Sequence, residues 1–459
     1  MNSWKGKRVL VIGAARQGQA LARYLALHGA DVILNDQNPE AEMQAARQAL
    51  ADLPLTWALG GHPMELLENT DMLCVSGGVS LTLPLVQEAQ RRGLPLTNDT
   101  QVFMELCPCP VIGITGSAGK TTTTTLVGRI AQAALSSPRR AWVGGNIGQP
   151  LIAYVVEMQP DDLVVMEISS FQLEQITISP WVAAILNITP NHLDRHSSMQ
   201  VYRDAKARIL AFQGKQDTTV LDREDPGAWG LAGQARGRLV SFGLAQPPAG
   251  NNGTYVKEGV IYLQSGDAAA ALMPLATIRL RGEHNLLNVL AACAIAYAAG
   301  LPAAAMQAGI QGFEGVAHRL QFVRTWRGAD WYNDSIATAP ERSMAAIRSF
   351  SEPLVLLAGG RDKKLPWEEF TALAHQRVDH LVVFGEAAGL ILEAICPVQA
   401  GQRPFTITAC QTLQEAVQAA ANLVQPGDVV LLSPGGTSFD QFRDFEERGE
   451  CFEKWVKEL

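Results

Sequence analysis

The stretch from 111 to 126 constrains this chain more than any other. Val111-Ile-Gly-Ile-Thr115-Gly-Ser-Ala-Gly119 leads into Lys120-Thr121 and four further threonines. A helical pattern, Leu126-Val127-Gly-Arg-Ile130-Ala-Gln-Ala-Ala-Leu135, follows. Strand, glycine-rich turn, lysine with hydroxyl, and helix are the parts of a phosphate cradle. The loop amides and the helix N-terminus both point at an anion. Lys120 can reach the outer phosphates and Thr121 can ligate Mg²⁺. The spacing departs from the strict pattern, because Ile114 stands five residues before Gly119 and the glycines fall at 113, 116 and 119. A turn that only closed a strand onto a helix would not need Gly-Lys-Thr at this point.

The 459 residues are enough for about three domains of ~150 residues. We expect boundaries giving domains 1–109, 110–316 and 317–459, and an α/β fold throughout. Lysine and arginine number 37 against 45 acids, a net charge of −8, and no basic run occurs. Nucleic acid is therefore not an expected partner. The seven cysteines are scattered, and Cys107-Pro-Cys109 has no second pair at metal spacing. Reduced thiols are expected rather than a zinc site or a disulfide framework. No apolar leader precedes the first strand, and no run reaches ~18 apolar residues. A soluble cytoplasmic monomer without a membrane partner is expected.

Arg8-Val-Leu-Val-Ile12 reads as a buried strand, 13–18 as a turn and 19–28 as a helix. Asp31-Val-Ile-Leu-Asn-Asp36 is the next strand. This βαβ unit carries a G-x-A-x-x-G loop and an acid closing its second strand, similar to a dinucleotide fingerprint with Ala15 as the middle glycine. A methyl then stands where a pyrophosphate would approach. Nicotinamide binding, another nucleotide and a structural turn all stay open for this loop. Met72-Leu-Cys-Val75 is a strand with Ser76-Gly-Gly78 at its carboxyl end, where ligands of open α/β sheets bind.

Past the cradle, Leu163-Val-Val-Met166 ends in Glu167, and 182–186 ends in Asn187-Ile-Thr-Pro-Asn-His192-Leu-Asp194-Arg-His196. Both Glu167 and His192 follow strand ends, on the edge where the cradle opens. Two histidines four apart would suit a zinc protease, but Leu193 replaces the required glutamate. Taken singly, Glu167 is an ordinary strand-end acid and Lys206 a solvated helix lysine. Asn285 and Asn288 open a helix, where amides commonly cap and would also suit the edge of an adenine. The last third holds Trp331-Tyr-Asn333-Asp334-Ser335 and the strands 354–358, 380–384 and 429–432, which feed glycine or polar loops. Strands alternating with helices imply mostly parallel sheets.

These motifs occur in the order Gly113-Ile-Thr-Gly-Ser-Ala-Gly-Lys-Thr-Thr, Gly144-Gly-Asn146-Ile-Gly148, Glu167-Ile-Ser-Ser-Phe-Gln-Leu-Glu174, Asn191-His-Leu-Asp-Arg195, Tyr202-Arg-Asp-Ala-Lys206, His284-Asn285, His318-Arg319, Asn333-Asp-Ser335 and the 433–445 stretch. In that order the whole chain resembles the Mur ligases of peptidoglycan synthesis. The resemblance implies three domains: a Rossmann-like first, a central ATPase of P-loop type and a Rossmann-like third. It also implies that ATP phosphorylates the alanine carboxylate of UDP-N-acetylmuramoyl-L-alanine, and that the amine of glutamate attacks the acyl phosphate.

The roles implied are as follows. Gly116, Ser117, Gly119, Lys120, Thr121 and Thr122 cradle the ATP phosphates, Asn288 meets adenine, Arg319 the phosphates and Asp334 the ribose. Thr121 and Glu167 hold one Mg²⁺, and His192 with a carbamylated Lys206 serves a second. Gly13, Ala14, Ala15, Arg16, Gly18, Asp36 and Gly78 bind the uridine diphosphate, and Asn146 and His192 the muramoyl part. Thr338, Lys363, Ser438, Phe439 and Phe445 bind glutamate. Ile336 stands where the family usually has lysine, so the cationic contact to glutamate falls to Lys363. Ala118 stands where relatives often carry asparagine. Another amide ligase on this scaffold, such as a folylpolyglutamate synthase, would resemble only the second and third domains. A nicotinamide oxidoreductase is opposed by Ala15.

Overall fold

Buried strands without polar alternation need helices on both faces, which favours parallel pairing. The computed structural model, which describes residues 4–190, 195–196, 198–363, 365–396 and 401–459, has three such sheets. The first contains β1 (Arg8–Ile12), β2 (Asp31–Asp36), β3 (Leu55–Leu59), β4 (Met72–Val75) and β5 (Leu96–Thr97) in the order β3-β2-β1-β4-β5. All its pairings are parallel. The strand order reverses beside β1, so the loops after β1 and β4 splay apart there and leave a crevice.

The second sheet has nine strands: β6 (Val111–Thr115), β7 (Ala141–Gly145), β8 (Leu163–Glu167), β9 (Val182–Ile185), β10 (Thr218–Asp222), β11 (Arg238–Phe242), β12 (Asn252–Lys257), β13 (Val260–Ser265) and β14 (Ala268–Pro274). Their order is β14-β13-β12-β11-β10-β9-β6-β8-β7. Every residue of β6 and β8 is buried. The last three strands form an antiparallel meander that the sequence reading did not foresee. Its strands mix buried and exposed positions without a regular alternation, so they carry little period-2 signal.

The third sheet contains β15 (Gln321–Trp326), β16 (Ala329–Asn333), β17 (Leu354–Gly359), β18 (His380–Phe384), β19 (Thr406–Ala409) and β20 (Val429–Gly435), in the order β15-β16-β20-β17-β18-β19. Only β15 pairs antiparallel. Residues Met1–Arg279 with Glu283–Phe313 form one compact unit, and Leu280–Gly282 with Glu314–Leu459 another. None of the described helices is long and apolar enough to cross a membrane.

The helix after β1 spans Arg16–Leu27, so it starts three residues before the expected 19. Gly18 lies inside it and packs so closely that a Cβ there would stand 1.8 Å from the Gly13 carbonyl oxygen. The last glycine of the fingerprint thus serves helix–strand packing, the role it has in such loops. Gly113 has a similar task. A Cβ on it would stand 2.3 Å from Pro180 Cγ, so it makes room for a neighbour and does not face the cradle.

Candidate active site

β6 has β9 on one side and β8 on the other. The loops after all three strands therefore meet at one edge. The loop after β6 ends at Gly119, which has φ +80° and caps the helix Lys120–Ala134. A side chain at 119 would be strained there, and its Cβ would stand 2.2 Å from Asn288 Oδ1. Beside the helix start, the Thr121 hydroxyl donates to Glu167 Oε2 at 2.9 Å, and Asn146 Nδ2 donates to Glu167 Oε1 at 3.0 Å. Gly145, next to Asn146, has φ +102° and would place a Cβ 2.3 Å from the Glu167 carbonyl oxygen. The loop after β7 can approach β8 this closely only as glycine. Lys120 Nζ donates to the Gly116 carbonyl at 2.9 Å, folding its charge over the loop.

Lys206 lies on the helix Met199–Ala211 and is 1% exposed. Its Nζ donates to the Gly116 carbonyl at 2.9 Å and lies 4.7 Å from the Tyr202 ring centroid. Burial, reinforced by the Lys120 charge and partly offset by Glu167, lowers its pKa to about 6. A buried amine that is neutral at pH 7 is chemically distinct from a solvated helix lysine. Lys120, Thr121, Glu167, Asn146 and Lys206 are thus gathered around one loop. Thr122 is buried in the first turn of the same helix. His192 lies outside the described residues.

The loop is braced by two side chains, Asn187 and Tyr202, to which the sequence reading gave no role. Asn187 Oδ1 accepts from the Ala118 N–H at 2.8 Å, and its Nδ2 donates to the Ala118 carbonyl at 3.2 Å. Ser117 donates to the Thr189 carbonyl at 2.9 Å and meets the Tyr202 hydroxyl at 3.0 Å. Ala118, Gly119, Leu186, Asn187, Asp222, Phe242, His284, Leu287 and Asn288 line a cleft against the loop. Asn288 is held there by Asn285, whose Oδ1 accepts from its Nδ2 at 3.1 Å.

The first loop is built differently. Asp36 Oδ2 accepts from the Ala14 N–H at 2.7 Å, and its Oδ1 from the Asn38 N–H at 3.0 Å. The acid that closes β2 therefore holds the loop itself. Ser76 donates to the Gly13 carbonyl at 3.1 Å, while Ala15 and Arg16 are exposed at the tip. Two contacts direct this crevice toward the cradle. Gln17 Nε2 donates to the Gly145 carbonyl, and Arg195 Nη1 donates to the Gly78 carbonyl at 3.1 Å.

In the third sheet β20 lies between β16 and β17. The loops after these three strands carry Thr338, Ser438 and Lys363. Lys363 Nζ donates to Thr338 Oγ1 at 3.2 Å, and its pKa is lowered by partial burial and by Arg342 and Arg448. Arg448 is fully buried. It binds Ser335 Oγ, the Ser335 carbonyl and the Gly436 carbonyl at 2.9, 2.8 and 3.1 Å. Ser438 is buried, Phe439 is 60% exposed, and Phe445 opens the helix Phe445–Glu458. Asp334 is buried against Ser433, which donates to its Oδ2 at 2.8 Å. Burial raises its pKa to about 7, opposed by Ser433, the Leu320 N–H and the charges of Arg319 and Arg342. Arg319 stands between His318 and Leu320, both at positive φ, +62° and +43°. Backbone of this kind persists where its surroundings over-determine it, often at functional sites.

Three family models match in chain order. The MurD-like N-terminal domain covers residues 7–98, the Mur ligase middle domain 114–296 and the glutamate ligase domain 318–436. A UDP-N-acetylmuramoylalanine--D-glutamate ligase of Symbiobacterium thermophilum is 39% identical over 453 residues, 99% of this chain and 98% of that protein. A ligase of the same name from Pelotomaculum thermopropionicum is 40% identical over 459 residues, with 99% and 98% covered. The chain belongs to the Mur ligase family. This Mur ligase is an ATP-dependent enzyme that forms amide bonds in peptidoglycan precursor synthesis. The solved UDP-N-acetylmuramate-alanine ligase of Thermotoga maritima superposes with a TM-score of 0.61 at 18% identity, covering 98% of this chain and 99% of its own. MurF of Acinetobacter baumannii gives 0.58 at 20%, covering 100% and 92%. These two share the fold of this Mur ligase.

Arg448, Asn187 and Tyr202 were missed as parts of the site in the sequence. The first looks like a helix-surface charge in Glu446-Glu447-Arg448, and nothing local marks it as buried. Asn187 ends a strand at a topological switch, and strand order is what gives it a role.

Proposed function

We propose that this Mur ligase joins D-glutamate to UDP-N-acetylmuramoyl-L-alanine, using ATP and passing through an acyl phosphate. The observation that carries the reading is the Thr121–Glu167 contact of 2.9 Å beside Lys120, in a chain that matches D-glutamate ligases over 99% of its length. Residues 1–109 bind the uridine nucleotide, 110–316 bind ATP and 317–459 bind the amino acid. Gly13, Ala14, Ala15, Arg16, Gly18, Asp36 and Gly78 take the uridine diphosphate. Asn146 and His192 take the muramoyl part.

Phosphoryl transfer brings two anions together, so charge must be neutralised between them. Lys120, whose Nζ donates to the Gly116 carbonyl at 2.9 Å, takes the outer phosphates. Gly116, Ser117, Gly119 and Thr122 contribute loop and helix amides. A hydroxyl and a carboxylate 2.9 Å apart are hard oxygen donors, and they fit Mg²⁺, which keeps waters and shares phosphate oxygens. When bound, Mg²⁺ supplies a Lewis acid and charge neutralisation. Asn288 reads adenine in the cleft beside Gly119, Asp334 takes the ribose and Arg319 the phosphates.

Carbon dioxide adds to a neutral amine, and free lysine with its pKa of ~10.4 is almost fully protonated at pH 7. Lys206 is neutral above about pH 6, which suits a carbamate. The carbamate would carry its oxygens near Lys120 and, with His192, serve a second Mg²⁺. In the third domain Lys363, Thr338 and Ser438 hold the two carboxylates of glutamate, with Phe439 and Phe445 as walls. Charge-assisted hydrogen bonds are the strong choice for such groups.

Phosphate release from ATP, with UDP-N-acetylmuramoyl-L-alanine and each amino acid in turn, tests the reading. D-glutamate should be the efficient acceptor. Turnover with L-glutamate or another amino acid instead would reject the substrate assignment and leave the ligase chemistry standing.

A further inference from the structure

Cys107-Pro-Cys109-Pro110 joins the helix Asp99–Leu106 to β6, the strand that carries the phosphate loop. Each cysteine precedes a proline, and a residue before proline is pushed into extended backbone. Cys107 has φ −61° and ψ +119°, as that rule requires. Along an extended backbone, residues two apart share a face. The two sulfurs accordingly meet at 3.6 Å, and the Cys107 thiol also reaches the Cys109 carbonyl at 3.4 Å.

The other five cysteines differ. Cys74 and Cys293 are fully buried, Cys396 is exposed, and Cys410 and Cys451 are intermediate. None of the five has another cysteine sulfur within hydrogen-bonding reach among the described residues. Cys107 is half-buried while Cys109 is 7% exposed, so a reagent meets Cys107 first. The hydrogen bond from the Cys109 thiol lowers the Cys107 pKa, whereas that same contact, reinforced by burial, pushes Cys109 up. Burial also raises Cys74, Cys293, Cys410 and Cys451. Thiolate character and access together select a reactive cysteine.

The nearby carboxylate does not turn the pair into a metal centre. Asp162 Oδ1 accepts from the Arg140 N–H at 2.7 Å. Its Oδ2 accepts from Trp142 Nε1 at 2.8 Å and from the Gln159 N–H at 3.0 Å. With its oxygens occupied, it offers the sulfurs no third ligand.

We propose that Cys107 and Cys109 form a dithiol modification site that exchanges with small-molecule disulfides and closes to an intramolecular disulfide. The Cys107 thiolate attacks one sulfur of the reagent and expels the first thiolate, giving a mixed disulfide. Cys109 then loses its proton to that thiolate, attacks the Cys107 sulfur and expels the second. Two protein thiols are oxidised by two electrons, and the reagent disulfide is reduced to two thiols.

The test uses the full-length enzyme with oxidised glutathione, followed by alkylation and peptide mass mapping. The peptide holding Cys107 and Cys109 should lose two hydrogens and resist alkylation, while Cys396 carries at most a glutathione. Dithiothreitol should reverse the closure. Cys109→Ser should stop at a stable glutathione adduct on Cys107, and Cys107→Ser should abolish the reaction. Wild-type mapping that finds both thiols free, a persistent adduct on Cys107, or a bridge to Cys74 would overturn the proposal. The wild-type result decides the question even if a variant folds poorly.

Discussion

Around the phosphate loop, acidic and basic side chains are both in place, the carboxylate on donors and the amines on an acceptor. Glu167 accepts from Thr121 and Asn146, and Lys120 and Lys206 both donate to the Gly116 carbonyl. At the strand ends of the third sheet, the cations Lys363 and Arg448 have one-sided contacts, all of them to neutral oxygens. Lys363 reaches a hydroxyl, and Arg448 binds a hydroxyl and two carbonyls. No carboxylate among the described residues hydrogen-bonds either side chain. The difference matches the ligands proposed. A site for a metal and polyphosphate must present both signs, whereas a site for a dianionic amino acid needs cations held ready by neutral oxygens. A buried cation kept by neutral acceptors is costly, and a carboxylate ligand would relieve that cost.

Four substitutions would break or sharpen the contrast. Lys120→Ala removes the cation proposed to neutralise the transferred phosphoryl group, and kcat should fall about 10²- to 10³-fold with an unchanged melting transition. Near-normal ATP turnover by this variant would place the phosphoryl chemistry elsewhere.

Lys206→Ala should lower activity by about 10²-fold, in line with losses of metal-site support, and short carboxylates such as acetate should restore part of it. Wild-type activity should rise with pH through about 6 at fixed total bicarbonate, because the amine becomes neutral above that value. A carbamate signal from ¹³C-labelled bicarbonate should appear in the wild type and vanish in the variant. An unmodified lysine at high bicarbonate, with no acetate rescue, would make Lys206 a plain buried base.

For the one-sided site, Lys363→Ala should raise the KM for glutamate about 10- to 100-fold, the effect of losing a contact worth about 1.5–3 kcal/mol. The KM for ATP should stay within a few-fold. Steady-state kinetics separates the outcomes. An equal rise for ATP would mean that the third-sheet loops do not form a dedicated amino-acid site.

The smallest effect is expected at the first loop. Asp36→Ala removes two hydrogen bonds to loop amides at about 1 kcal/mol each. The KM for the uridine substrate should rise several-fold with little change in kcat. A fall in kcat of the size expected for Lys120→Ala would tie the first loop to the chemistry rather than to binding.

Much of the central site was legible because its signal is local. Gly119-Lys120-Thr121 must follow a strand and open a helix, and the structure places it so. The antiparallel meander β12–β14 was not legible, since buried and exposed positions do not alternate regularly along its strands. Arg448 was hidden for another reason. It stands in a charged helix beginning with two glutamates, and only the approach of the Ser335 and Gly436 carbonyls reveals a buried guanidinium.

The sequence by itself determined the buried strands β1, β2, β4, β6, β8 and β9, the glycine turns and the order of motifs, because backbone sterics and hydrophobic runs act between near neighbours. Only the tertiary structure decided who meets whom. The order β9-β6-β8 sets Glu167 against Thr121 and Asn187 against Ala118. The packing of the helix Met199–Ala211 buries Lys206 beside Lys120 and so changes the basicity of its amine. Desolvation and charge proximity depend on atoms brought together across 46 and 90 positions of chain, and no local pattern encodes them.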